Sequence, residues 1–305
     1  MPKPRPVRPG DRIAIVAPAS NCSRDEFDRG VDELHRLGFE PAFESSVFER
    51  RTFSAGCART RAAAFLQAWL DPSVTALIAL RGGYGSVELL PLIEQSPLHP
   101  PKLFIGYSDT TSLLTWLTVH RGIPALHGPM LEGRLARGTA AYDEHSFREL
   151  LAGGRGLSLE PNGVQVINAG EKAGVLLGGT ITQLTASLGT PYAFTPAPGA
   201  LLFLEDVNER PYRLHRMLTQ LKLAGVLSQA AGLVFGEMRG CDEPTGGPTA
   251  LDVIEEFAAD YQGPVVTGFP SGHTSGPCWT LPLGVRCRLV TQPRPALIVE
   301  EPPVE

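Results

Sequence analysis

The chain reads as an α/β protein in two parts, a first half built on a parallel sheet and a second, smaller α/β half built on a mixed one. Three observations carry that reading. Short, almost continuously apolar runs alternate with helix-length segments up to His127, as in βαβ units whose sheet is covered on both faces. After Gly163 the spacing changes, and strands mix with fewer helices. The 305 residues, 43% hydrophobic and 19% charged, suffice for about two domains with cores of their own.

In order, residues 12–18 (RIAIVAP) form a buried strand and 24–37 a helix. Residues 41–44 make a weak strand, 58–70 a helix, and 74–80 (VTALIAL) a fully apolar strand. Helical spacing returns at 86–93, a strand follows at 102–107 (KLFIGY), a helix at 110–120, and 123–127 closes the series. Beyond Met130 the pattern loosens. Gly153, Gly154, Gly156, Pro161 and Gly163 mark turns around a short helix at 142–151. Strands are then predicted at 164–168, 201–205, 233–236, 265–268, 285–290 and 296–299, with helices at 181–188, 212–223 and 250–261. Leu214, Met217, Leu218 and Leu221 recur at i, i+3, i+4 and i+7, one apolar stripe. The expected division is 1–130, a connector at 131–163, and 164–305, with no internal repeat.

Composition excludes several classes. Glycine (33) and proline (28) stay below low-complexity levels. The net charge is −5, and the only dense basic stretch is Lys3, Arg5 and Arg8 between prolines, so no nucleic-acid partner is expected. No run of 18 apolar residues predicts a membrane span, and no apolar stretch before Asp11 predicts a secretory leader. Five scattered cysteines without a CxxC pair suit a reducing cytoplasm better than a disulfide framework or zinc ribbon. No H-E-x-x-H, paired Cys/His spacing or EF-hand loop appears, so neither metal nor cofactor is expected.

Chemistry is concentrated at strand exits. Gly106-Tyr107-Ser108-Asp109-Thr110 places a serine where a strand turns into a helix, as in the G-x-S-x-G nucleophile elbow, except that Thr110 replaces the last glycine. Ser108 or Asp109 capping the helix is the competing reading. Arg81-Gly82-Gly83-Tyr84-Gly85-Ser86 also lies between strand and helix. Its spacing is wrong for a dinucleotide loop, but neighbouring βα loops share one sheet edge, so amides near Gly83 are candidates for an oxyanion site beside Ser108. Two of the seven histidines, His127 and His273, sit at strand-to-loop exits, and either qualifies as a base. The apolar strand Leu201-Leu202-Phe203-Leu204 ends in Glu205-Asp206, and a carboxylate at the mouth of a buried strand needs a partner such as imidazolium.

Together these segments resemble the L,D-carboxypeptidase family of serine peptidases, the murein tetrapeptide carboxypeptidases. The likeness runs in order through IAIVAPAS (13–20), RGGYGS (81–86), FIGYSDTTSLL (104–114), HGP (127–129), LLGGTITQLTASLGTPY (176–192), LLFLEDVNERPYRLHRMLTQL (201–221), GLVFGEM (232–238), GFPSGHT (268–274) and LPLG (281–284). One departure is Thr180-Ile181, where the family more often has Asn-Leu.

The resemblance implies a Rossmann-like N-terminal domain, a smaller C-terminal α/β domain, and a site between them. It makes Ser108 the nucleophile, Glu205 the acid and His273, rather than His127, the base. Backbone amides of Gly82, Gly83 and Asp109 would stabilise the oxyanion. The implied substrate is a muropeptide cut between diaminopimelate and terminal D-alanine in cytoplasmic cell-wall recycling, and the implied assembly is a homodimer. Two other readings stay open: the family's microcin-C immunity branch, which cleaves a peptidyl nucleotide, and a non-catalytic two-domain ligand-binding protein. Arg81 and Arg210 are possible carboxylate anchors or ordinary ion pairs.

Overall fold

A computed structural model describes residues 3–305. Its first half supplies strands β1 (Arg12–Val16), β2 (Glu40–Ala42), β3 (Val74–Ala79), β4 (Leu103–Gly106) and β5 (Ala125–His127), connected by helices α1 (Arg24–Arg36), α2 (Ala58–Leu70), α3 (Leu90–Ile93) and α4 (Thr111–Thr115). All residues of β3 and β4 are buried, as strands covered on both faces must be. Helix α1 starts where Ser23 accepts a hydrogen bond from Glu26 N–H and turns Phe27 and Leu34 inward. These five strands pair in parallel in the order β5-β4-β3-β1-β2. The loops leaving β1, β3 and β4 therefore meet at one carboxyl edge.

The rest of the chain adds β6 (Ser158–Leu159), β7 (Gln165–Asn168), β8 (Glu171–Thr180), β9 (Leu201–Glu205), β10 (Gly232–Gly236), β11 (Val265–Phe269), β12 (Leu281–Leu283), β13 (Arg286–Val290) and β14 (Ala296–Val299). Helices α5 (Glu144–Ala152), α6 (Ile181–Ser187), α7 (Pro211–Leu223) and α8 (Ala250–Ala259) accompany them. Eight of these strands form a mixed sheet ordered β6-β14-β13-β8-β9-β10-β11-β7, parallel only from β8 to β11. Helices α6, α7 and α8 bury Leu184, Leu214, Leu218, Leu221 and Ile254 on one face. From the other face Phe203, Val234, Val266 and Phe269 join the core of the first sheet. Residues 131–163 are packed into that same core through Phe147, Leu150 and Leu159.

Three strands escaped the sequence reading, the two-residue β6 and the longer β8 and β12. In β8, glycines interrupt the apolar pattern: added Cβ atoms on Gly174 and Gly178 would lie 2.1 Å from Gly199 O and 1.9 Å from Phe203 O. Glycine here serves close backbone approach. In β12 the middle residue is Pro282, which a central strand would exclude. The strand is tolerated because it lies on the edge of the first sheet, antiparallel to β5, with Leu281 opposite His127. The second half thus lends a strand to the first. Among the described residues, no helix is long and apolar enough to cross a membrane.

Phe203 is fully buried where the two sheets meet. Phe203→Ala is expected to cost about 3–5 kcal/mol in urea denaturation; a loss below about 1 kcal/mol would mean that the halves do not share this core.

Candidate active site

Strand β4 ends at Gly106, Tyr107 stays extended, and Ser108 turns to φ 65° before a helical turn leads into α4. Positive φ is costly for a residue with a Cβ, on the order of 1 kcal/mol or more, and a serine in such a strand-to-helix turn has the geometry of a nucleophile elbow. Neighbouring glycines make the room. An added Cβ on Gly106 would lie 2.5 Å from Thr110 Oγ1, and one on Gly82 would lie 2.7 Å from Ser108 Cβ and 2.8 Å from its Oγ. Thr110 can replace the last glycine of the usual pattern because Gly106 leaves space for it. Capping does not occupy Ser108, since no side chain caps this helical turn.

Asp109 points the other way. Its carboxylate accepts Gly85 N–H (3.2 Å) and Ser86 N–H (2.8 Å), and Ser86 Oγ donates to Asp109 O (2.6 Å). The serine turn and the glycine-rich loop are thereby clamped together. Arg61, almost wholly buried, holds the far side of that loop by donating to Gly85 O (2.7 Å) and to Pro18 O. Gly82 and Gly83 line the cleft, and among the described residues their amides have no protein acceptor.

Glu205 closes β9 and is 1% exposed. Its Oε2 accepts His273 Nδ1–H (2.8 Å) and His273 N–H (3.1 Å), while Oε1 accepts the Thr180 hydroxyl. Burial pushes the carboxyl pKa up, but the His273 charge and hydrogen bond, with Thr180, outweigh it and hold the group well below the usual carboxylate range. Nδ1 on the carboxylate leaves Nε2 as the free ring nitrogen. The Tyr107 ring meets His273 edge to face at 5.1 Å. Ser108 and His273 line one cleft of about 580 Å³. No hydrogen bond joins them among the described residues. The fold brings Glu205 and His273 into contact and sets Ser108 in the same cleft.

Comparison with known proteins completes the picture. The LD-carboxypeptidase N-terminal domain matches residues 13–128, and the LD-carboxypeptidase C-terminal domain matches residues 173–289. The chain belongs to the LD-carboxypeptidase family. It is 31% identical over 270 residues to the murein tetrapeptide carboxypeptidase of Pseudomonas aeruginosa, covering 86% of this chain and 88% of that one. The crystal structure of muramoyltetrapeptide carboxypeptidase from Oxalobacter formigenes superposes with a TM-score of 0.83 at 30% identity, over 95% and 99% of the two chains. The microcin C7 self-immunity protein MccF of Escherichia coli is 27% identical over 313 residues, 92% of this chain and 91% of that one.

Within this family member the second candidate base has another place. His127 is fully buried, and its Nδ1–H donates to Ser271 Oγ (2.9 Å), which in turn donates to Trp279 O (2.8 Å). Burial pushes its imidazole down to about 4, so it is neutral at neutral pH. Arg81 pairs with Glu132 (2.9 Å) and Arg210 with Glu243 (2.7 Å), the ion-pair alternative raised by the sequence. Among the described residues no cluster of three metal-ligating side chains occurs. Sequence reasoning missed Thr180 on Glu205, the Tyr107 ring on His273, and Arg134 in the cleft wall. Only Thr180 carried a signal, as the departure from the family pattern.

Gly82→Ala should push the Ser108 side chain out of place, abolishing labelling of Ser108 by a fluorophosphonate while the far-ultraviolet circular dichroism is unchanged; labelling at the wild-type rate would contradict the contact. The pH dependence of stability has a defined sign. Below about pH 6.5 the unfolded chain protonates a histidine that the fold keeps neutral down to about 4. The His127 contribution is therefore full above about 6.5 and lost as pH falls to about 4. Asp206, pushed up to about 6 by burial and by Glu205, runs the opposite way, its contribution lost as pH rises through that value. The stability difference between wild type and His127→Gln should accordingly grow from pH 4 to pH 7 in urea denaturation, and a flat difference would disprove the assignment.

Proposed function

We propose that this protein is a serine carboxypeptidase that removes the terminal D-alanine from murein tetrapeptides, at the bond to diaminopimelate, in cytoplasmic cell-wall recycling. The observation that carries the reading is the buried Glu205–His273 pair bordering the same cleft as a serine held at positive φ. A ligand-binding protein has no use for that combination.

In the proposed reaction His273 Nε2 takes the Ser108 proton as Oγ attacks the scissile carbonyl. Glu205 keeps the proton on Nδ1 and stabilises the imidazolium. The tetrahedral oxyanion lies against amides of Gly82, Gly83 and Asp109, each such donor contributing about 3–4 kcal/mol in comparable sites. His273 then protonates the departing amine of D-alanine. Water, deprotonated by the same imidazole, releases the tripeptide from Ser108. The open Ser108–His273 contact fits hydrogen bonds that tighten only around substrate.

The named activities of the Pseudomonas and Oxalobacter relatives support the muropeptide. A peptidyl nucleotide is less well served, because Tyr142 and Phe147, the aromatic residues between Gly128 and Leu176, are buried and offer a base no stacking face.

Incubation with defined muropeptides of three, four and five residues, read by mass, tests the reading. The tetrapeptide should lose one alanine and the others stay intact, and Ser108→Ala should lower turnover at least about a thousandfold with the fold retained. Wild-type turnover by that variant, or cleavage of a peptidyl nucleotide in place of the tetrapeptide, would overturn it.

A further inference from the structure

The loop between β11 and β12 carries His273 and has no helix or strand of its own. Holding such a segment still costs conformational entropy, and a catalytic group displaced by about 1 Å can cost about a hundredfold in rate. Much of what fixes the loop comes from outside it. Cys278 N–H donates to Ala141 O (3.0 Å) and Ser275 N–H to Glu237 Oε2 (2.8 Å), and His127 reaches Ser271.

The most concentrated tie is Arg134. Its Nη2 donates to Gly272 O (2.8 Å) and Thr274 O (3.1 Å), the carbonyls on either side of His273. Its Nη1 donates to Gly276 O and Ala141 O, both at 3.2 Å. Four terminal N–H groups thus meet four carbonyls, three of them in the His273 loop. All four acceptors are neutral, although the side chain is half-buried and lines the cleft with Ser108 and His273. Desolvating a guanidinium without an acid partner is costly. What it supplies in return is a rigid planar fork, which an ammonium cannot reproduce.

The place of Arg134 in the chain matters equally. It lies in the segment after β5, beyond Gly128–Gly133, and the backbone just before it is tied to the end of β3 by Leu131 N–H to Ala79 O (3.1 Å) and Glu132 N–H to Leu80 O (2.9 Å). Arg134 is therefore anchored on the sheet that presents Ser108, and it grips the loop that presents His273.

We propose that Arg134 is a positioning residue, which holds the backbone on both sides of His273 so that Nε2 faces Ser108 while Nδ1 stays on Glu205. The inference rests on the Ser108–His273–Glu205 reading above. Its function is to refer the base to the nucleophile's own sheet, not to bind substrate.

The test compares wild type, Arg134→Lys, Arg134→Ala and Ser108→Ala by tetrapeptide kinetics and by the rate at which a fluorophosphonate labels Ser108. Arg134→Ala should lower kcat and labelling about a hundredfold and Arg134→Lys about tenfold, with KM within about twofold. Methylguanidinium at millimolar concentration should restore part of the activity of Arg134→Ala and none of Ser108→Ala. A loss confined to KM would make Arg134 a substrate anchor and overturn the proposal, as would wild-type kcat and labelling in either variant. Should Arg134→Ala fail to fold, Arg134→Lys decides alone. Wild type that labels but leaves the tetrapeptide intact refutes the substrate while the labelling rates still judge Arg134; wild type that does not label refutes the triad and this proposal together.

Discussion

A carboxylate taken almost entirely out of water must be paired, and the structure around Glu205 is organised by that requirement. Burial alone would cost several kcal/mol or neutralise the group. Two donors from His273 and one from Thr180 offset the cost. Space had to be cleared as well: an added Cβ on Gly236 would lie 2.6 Å from Glu205 Cβ, and one on Gly272 2.8 Å from Glu205 Cδ. The end of β9, its neighbour β10 and the His273 loop are thus mutually constrained at one point. Breaking the pair by removing one partner leaves an unpaired buried charge, which is why the loop cannot move independently of the strand.

The same constraint couples the two halves. Glu205 and His273 belong to the second half and Ser108 to the first, so their relation depends on how the sheets sit against each other. Three devices set it. Phe203 and Phe269 are packed into the first sheet's core, β12 completes that sheet's edge, and Thr180 N–H donates to Oγ1 of Thr111 (3.2 Å), the first residue of the α4 helix that follows Ser108. The last contact is close enough that an added Cβ on Gly179 would lie 2.7 Å from the Thr111 side chain.

The sequence by itself determined the parallel first sheet, because runs such as VTALIAL and LFIG can satisfy their hydrophobicity only when covered on both faces. It determined too that Ser108 and Glu205 would stand at strand exits, since local patterning sets where a strand stops. Side-chain periodicity is a local property, and these were local facts. Local patterning left His127 and His273 both open, with only the family resemblance choosing between them, and the tertiary structure puts His273 on Glu205; it alone decided that Pro282 lies in an edge strand and that the glycines of β8 admit a neighbouring backbone. It alone brought Arg134 to the carbonyls flanking His273, 139 positions away by chain number. Each of these depends on contacts between residues far apart in the chain, where burial, close backbone approach and unmet hydrogen-bonding groups act, and no spacing along the chain encodes them.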